Sequence, residues 1–457
     1  MTIATPSDAA RRLNLAARME RLPLTGYQKK LFLIIAMAWL FDSIDIASLT
    51  FVLAPISEEF GLTGWEAGLL ASSSFAGMAI GASAAGILGD RIGRRPVFVS
   101  SMICWGLASL GLFFSWDLAS LLVFRFMLGL GMGAEFPLAQ SLLSEFAPTE
   151  HRGRLLGWLE GFWPIGFITA GVLAMVLVPA FGWRSIFLLQ AVFALWALFA
   201  RRAVPESARW YEARGYYDKA EEAISAFEAK VEKSYGRELP PPAAYAPPVA
   251  PLEGAGGVLK ELLGKQYRGR TLLAWGMWFC VQLGYYGITT WIAKLLADSS
   301  FSITGSIQYV VLMALWGIPG FLVASQLLER IGRKPIVVAF VVGSAISAFI
   351  YGQADSTAQL LIAGSLMQFF LFGMWSTIYA YTPELFPTRA RATGCGTSSA
   401  IGRIGAILGP LTVPLLMTNF GPGAVFVVSA ITFVAAAVAV LLFGPETRGL
   451  ALEEVSR

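Results

Sequence analysis

Apolar residues gather along this chain in long runs separated by short polar breaks. Twelve runs come near the ~20 residues that a helix needs to cross a bilayer core. They cover residues 31–53, 65–88, 97–115, 119–142, 155–180, 184–202, 271–296, 306–327, 336–353, 358–381, 393–417 and 423–443. They are too long for strands and carry the Gly and Ala that buried helices tolerate. The pattern predicts an all-α membrane protein with twelve transmembrane helices. One long polar stretch divides it. Within that stretch 211–234 has the periodicity of amphipathic helix, and 239–257 is rich in Pro, Ala and Gly, as a flexible linker is. The expected organisation is an arm over 1–30, a six-helix bundle over 31–203, a linker over 204–270, a second bundle over 271–444 and a tail over 445–457.

The two halves repeat each other. Leu88-Gly89-Asp90-Arg91-Ile92-Gly93-Arg94-Arg95-Pro96 recurs as Leu327-Leu328-Glu329-Arg330-Ile331-Gly332-Arg333-Lys334-Pro335, 239 residues on. The same offset carries Glu145, Pro148, Thr149 and Arg152 onto Glu384, Pro387, Thr388 and Arg391. Pro205-Glu206-Ser207 returns as Pro445-Glu446-Thr447 at 240. Parallel six-helix repeats imply two pseudo-symmetric bundles that rock about a central cavity.

Composition narrows the class. Only 14% of the 457 residues are charged, against about 25% in an average soluble domain. The net charge of +4 gives no reason to expect nucleic acid. Cys104, Cys280 and Cys395 share no metal spacing, and His151 is the single histidine. A zinc site or a histidine-based triad is therefore not expected. No phosphate-binding G-x-x-x-x-G-K-[ST] run occurs, so ATP-driven pumping is unsupported. We expect no enzyme activity, no cofactor and no metal. Lys and Arg crowd the arm and the loops after segments 2, 4, 8 and 10, with Arg184 and Lys294 as the exceptions of opposite parity. The bias places both termini in the cytoplasm, and the first thirty residues lack a signal-peptide cleavage pattern.

The Gly86-x-Leu88-Gly89-Asp90-Arg91-x-Gly93-Arg94-Arg95 run resembles the loop signature of the major facilitator superfamily, over nearly the whole chain. Pro205-Glu206-Ser207-Ala208-Arg209-Trp210 and Pro445-Glu446-Thr447-Arg448-Gly449 look like its sugar-porter and organic-ion branches. Phe41-Asp42-Ser43-Ile44-Asp45 is similar to the paired acids of aromatic-acid/proton symporters and bacterial niacin transporters. Gly129-Leu130-Gly131-Met132-Gly133-Ala134-Glu135-Phe136-Pro137 and Leu159-Glu160-Gly161-Phe162-Trp163-Pro164 look most like the niacin-transporter group, relatives of organic anion and cation transporters and of synaptic vesicle glycoprotein 2. Gln282 stands alone where sugar porters carry paired glutamines. The resemblance implies a plasma-membrane secondary transporter working by alternating access. Its expected partners are a small aromatic carboxylate, protons and membrane lipid, and it is expected to act as a monomer. Nicotinate is the first choice of substrate; other aromatic acids such as benzoates, or a cation or sugar-like porter, are the alternatives.

Charges copied by the repeat belong to the scaffold. Asp90, Arg91, Glu145, Arg152, Glu206, Glu384, Arg391 and Glu446 sit at cytoplasmic helix ends, where salt bridges between bundles would gate the cavity. Charges the repeat does not copy are candidates for substrate chemistry: Asp42, Asp45, Glu135, Glu160 and Arg403 lie inside spanning segments. A charge at mid-membrane costs about 2.5–3.5 kcal/mol on insertion scales, which calls for a wet cavity or a partner. Arg403 lies roughly 15 Å into its segment and offers a planar fork matched to carboxylate. Related organic-ion transporters with an arginine at the matching position take anions. The other reading is an ion pair with Asp42, Asp45 or Glu160. Asp42 and Asp45 share a helical face with Trp39 and, with Glu135, are the candidates for proton coupling. Their other reading is a permanent pairing with Arg403 or Arg125. Trp39, Trp163, Gln282, Tyr285, Tyr286, Trp375 and Tyr379 are candidates to enclose a flat ring, with Glu160 beside them; Gln282 suits a ring nitrogen.

Overall fold

A computed structural model describes residues 15, 17–242, 255–299, 301–387 and 390–447. Eighteen helices are assigned within them. Those of the first half are α1 Gly26–Phe60, α2 Gly64–Ile92, α3 Arg94–Phe113, α4 Leu118–Phe146, α5 Thr149–Glu160, α6 Phe162–Phe181, α7 Arg184–Phe193 and α8 Trp196–Ala203. Between the halves lie α9 Ala208–Ala213, α10 Tyr217–Tyr235 and α11 Ala255–Leu262. The second half holds α12 Arg268–Ser299, α13 Ile303–Ala314, α14 Gly317–Arg330, α15 Arg333–Gly352, α16 Thr357–Glu384, α17 Arg391–Phe420 and α18 Gly423–Phe443. Ten spans among the described residues are long and apolar enough to cross a membrane, with α5–α6 and α13–α14 each counting as one. The other two expected segments are α12, whose 32 residues include Gln282, Tyr285 and Tyr286, and the broken pair α7–α8. With these the twelve expected spans are accounted for.

Three expected segments are each two helices. Pro164 has no N–H to offer the carbonyl of Glu160, four residues back, and α5 stops at Glu160. Pro319 has the same relation to Leu315, and the chain breaks between α13 and α14. The third break falls at Ala194–Leu195, between α7 and α8.

The α2–α4 contact is backbone on backbone. A Cβ at Gly77 or Gly81 would strike the carbonyl of Phe126 or Leu130, and one at Gly129 or Gly133 the carbonyl of Ser74 or Met78. Each helix thus presents a small-xxx-small ridge, the usual means of close approach where no water drives association.

We call the side holding the chain's N-terminal arm the arm side and the opposite face the far side. The two halves meet where α2 packs on α17, α1 on α12 and α6 on α13. These contacts belong to the far half and middle of the molecule. A Cβ at Gly64 would lie 3.2 Å from Pro414 Cβ, Ser72 donates to the Ile407 carbonyl at 2.7 Å, and Phe167 meets Phe372 with centroids 5.7 Å apart. One apolar core runs through this junction into the second half. A separate core, with Trp39, Phe98, Leu142 and Phe227, contains first-half and linker residues only. The halves are therefore joined on the far side and parted toward the arm.

Candidate functional site

Arg403 lies 12 residues into α17 and Glu160 ends α5, so each is roughly 17–18 Å from the arm-side start of its helix. They come from different halves and share a neighbour. The phenol of Tyr379 lies within electrostatic reach of Glu160, Arg403, Tyr285 and Tyr286. Arg403 lies against the Tyr286 phenol, and its Nη1 is 3.7 Å from the sulfur of Met78 on α2. Glu160 accepts a hydrogen bond from Gln140 Nε2 at 3.0 Å. Tyr379 is 38% exposed although it sits within a spanning helix, as expected for a residue facing an open cavity.

The surrounding rings form one cluster. Tyr285 stands edge-on to Tyr286 and Trp375, with centroids 5.1 and 5.2 Å away. Trp278 meets Trp375 at 5.9 Å and Tyr379 at 5.3 Å, and Phe75 of the first half meets Tyr286 at 4.3 Å. Edge-to-face packing of this kind holds each ring in one orientation. Trp163 approaches Tyr285, and its carbonyl accepts from Ser43 at 2.8 Å. Trp278 is tied by its indole N–H to Thr382 at 2.9 Å. Gln282 Oε1 is buried without a hydrogen-bond partner among the described residues. Such a group is costly to leave unmade, which suits it to meet a bound molecule. Gln282 Nε2 lies close over Gly402, beside Arg403.

The other acids occupy a different place. Asp42, Asp45 and Glu135 are each at most 1% exposed, and no carboxyl oxygen of Asp42 or Glu135 has a hydrogen-bond partner among the described residues. Asp42 feels the charges of Glu135 and Asp45; Asp45 faces Arg125 and the Trp105 indole. Of the two pairings open from sequence, the structure puts Arg125 beside the α1 acids, whereas Arg403 and Glu160 share Tyr379 as a neighbour. Trp39 does not join the ring cluster but packs in the first-half core, 1% exposed. Its helical position fits both places, and only tertiary packing decides. Gln140, Met78 and Phe75 were not singled out from sequence; Gln140, a polar residue within an apolar run, carried the only signal.

Where their partners are described, the duplicated charges pair within each half; the pairing between halves that the gate reading expects belongs to a state closed on the arm side. Arg94 pairs with Glu145, and Arg333 with Glu384 at 3.3 Å. Glu206 accepts from the Arg94 and Arg95 backbone N–H groups at 3.2 and 3.3 Å; Glu446 does the same for Arg333 and Lys334 at 3.0 and 3.2 Å. Each carboxylate thus caps the first turn of a helix, α3 or α15, and complements its dipole. Gly93 and Gly332 make room: both have positive φ, and a Cβ there would lie 2.5 and 2.8 Å from Glu206 and Glu446 oxygens. Arg391 donates to the Pro383 carbonyl at 3.0 Å, and Arg152 Nε is buried without a partner. Arg91 is exposed, and the side chain of Asp90 lies outside the described residues.

Comparison with known proteins agrees with this architecture. The family pattern described as "Sugar (and other) transporter" matches residues 30–457. The niacin transporter NiaP of Acinetobacter baylyi is 34% identical over 97% of this chain and 100% of its own length. The putative niacin/nicotinamide transporter NiaP of Bacillus subtilis is 36% identical over 93% of this chain and 98% of its own. The xylose transporter XylE of E. coli, in a partially occluded inward-open conformation, superposes with a TM-score of 0.73 at 19% identity, covering 93% of this chain and all of that one. A pattern matched over residues 30–457, full-length relatives above 30% identity and a shared twelve-helix fold establish that the chain belongs to the sugar (and other) transporter family of the major facilitator superfamily.

Proposed function

We propose that this transporter takes up nicotinate, or a closely related small aromatic monocarboxylate, across the plasma membrane by alternating access and together with protons. The observation that carries the reading is Arg403, set at mid-depth among Tyr285, Tyr286, Trp375 and Tyr379. A guanidinium takes a carboxylate through two parallel charge-assisted hydrogen bonds. The rings supply faces for a flat heteroaromatic, with Trp163 on the first-half side. The amide of Gln282 suits the ring nitrogen as donor. The full-length relatives named as niacin transporters point to the same substrate class.

The excess of Lys and Arg at the arm side makes that side cytoplasmic. The state described above is then inward-facing, with the outer path closed by α2–α17 and α6–α13. Asp42, Asp45 and Glu135, buried in the half that moves against the second, are candidates to carry the proton. As the arm side closes, Asp90, Arg91, Glu145, Arg152, Glu206, Glu384, Arg391 and Glu446 are brought near the opposite half and can exchange partners, which makes them the inner gate.

The test is uptake of labelled nicotinate into proteoliposomes with and without an imposed pH gradient, competed by nicotinamide and by benzoate. We expect accumulation driven by an acidic exterior and stronger competition from carboxylates than from the amide. Arg403→Ala is expected to lower affinity on the order of 10²-fold or more, from loss of a buried charge-assisted pair. Absence of nicotinate uptake, or affinity in Arg403→Ala within a few-fold of wild type, overturns the reading.

A further inference from the structure

A second charged group, contributed by the other half, lies at a depth similar to that of Arg403 and shares its Tyr379 neighbour. Glu160 closes α5 at the break imposed by Pro164, and Gln140 fixes one carboxyl oxygen at 3.0 Å. Its Tyr379 neighbour is also a neighbour of Arg403. Glu160 is partly exposed, whereas Asp42, Asp45 and Glu135 are sealed. The parted arm side gives it access to water.

We propose that Glu160 is the acid whose protonation admits the substrate anion, so that one aromatic carboxylate and one proton bind as a unit. This rests on the anion reading of Arg403. With Glu160 ionised, the two groups of the empty cavity sum to zero charge. A carboxylate arriving at Arg403 would leave one uncompensated negative charge in a site poor in water. One proton taken from cavity water onto a Glu160 carboxyl oxygen restores neutrality, and the Gln140 hydrogen bond keeps the acid in place in either form. No bond to the substrate is made or broken beyond hydrogen bonds.

The groups that face Glu160 are few. They are Gln140 from α4 and Tyr379 from α16, and Tyr379 in turn lies within reach of Tyr285 and Tyr286 of α12 and of Arg403 from α17. Packed alongside, α1 brings Asp42 and Asp45, whose charged neighbours are Glu135 and Arg125. On α5 itself Glu150, His151, Arg152 and Arg154 come at least a turn and a half before it, toward the arm side, and α6 carries no ionisable side chain.

The experiment measures nicotinate binding to the purified full-length protein between about pH 6 and about pH 8, with the protons exchanged on binding. Wild type is expected to weaken toward alkaline pH by up to about tenfold per unit and to take up close to one proton per nicotinate at the alkaline end. Glu160→Gln, which keeps the hydrogen-bonded shape without the charge, is expected to flatten the slope below about twofold per unit and to retain affinity at high pH. A wild-type slope persisting in Glu160→Gln overturns the proposal. So does pH-independent wild-type binding without proton uptake, a measurement that decides the matter even if the variant does not fold. Wild-type protein that binds no nicotinate at all overturns the substrate reading, and this proposal with it.

Discussion

Joining the far ends of α2 and α17 should arrest the protein in the state described here. A Cβ at Gly64 would lie 3.2 Å from Pro414 Cβ, slightly inside the about 3.5–4.5 Å spacing of disulfides. Both sites are near helix termini, where a few tenths of an ångström are easily accommodated. Gly64 is the first residue of α2, and Pro414 already lacks an N–H, so neither substitution removes a helix hydrogen bond. The double variant Gly64→Cys/Pro414→Cys, with Cys104, Cys280 and Cys395 replaced by Ser, is expected to cross-link under mild oxidation. A far-side opening wide enough to admit an aromatic ring must insert at least a side-chain layer between these helices. That carries their Cα atoms beyond the about 7 Å a disulfide can bridge. Uptake should fall in proportion to the fraction cross-linked and return with reductant. Nicotinate binding from the arm side should survive. A protease site placed within residues 243–254 reports the cross-link directly, because cleaved halves stay joined on a non-reducing gel. A variant that will not cross-link refutes the far-side closure, and a cross-linked protein that still accumulates substrate refutes the rocking mechanism.

Two further outcomes follow from the packing and from the arm. Gly129→Ala places a methyl against the Ser74 carbonyl, and because that obstacle is backbone, α2 and α4 must separate; a loss of thermal stability of about 1–3 kcal/mol is expected, whereas Gly157→Ala, which meets nothing within 4 Å, should leave the melting temperature unchanged. Burial works to raise the Glu228 carboxyl on α10, but hydrogen bonds from Arg18 and Arg21 at 2.6–3.1 Å hold it below the ordinary carboxylate value. Its folded value being depressed, its contribution is complete above the unfolded carboxylate range and is lost as pH falls through the folded value. Hydrogen exchange over residues 17–24 should therefore be slow at neutral pH and fast in acid. It should be fast at both in Glu228→Gln, and equal protection in that variant would show that the arm is held by other contacts.

The sequence made the frame of this protein legible because membrane spans are long and nearly uniform. Twelve runs, a duplicated loop signature and a polar centre lead to two six-helix halves without any knowledge of contacts. Partners were harder to read, for identifiable reasons. The 239-residue offset shows that Glu206 and Glu446 occupy equivalent positions. It does not distinguish a bridge between halves from a cap within each, and the positive φ of Gly93 and Gly332 is what places each carboxylate on a helix N-terminus. Trp39 shares a face of α1 with Asp42, but a helical wheel does not say which of two interfaces that face meets. Proline positions were visible at 164 and 319, whereas the consequence, a break that ends α5 at Glu160, depends on how neighbouring helices support the freed carbonyl.

The polar groups within the membrane divide unevenly between the halves, and the division has a mechanical consequence. The first half holds the carboxyls, including Glu160; the second holds Arg403 and most of the rings. Closing the arm side must enclose whatever lies between them, and enclosing an unpaired charge costs several kcal/mol. With Glu160 as the linked acid, the empty cavity is neutral, since ionised Glu160 faces Arg403, and the halves can rock. The cavity with both anion and proton is neutral as well. Anion alone leaves one negative charge, proton alone leaves one positive charge, and both disfavour closure. A single carboxyl opposite a single guanidinium, one on each half, therefore suffices to let the empty and the doubly loaded forms cross while holding back the partly loaded ones, which is the rule a symporter must obey.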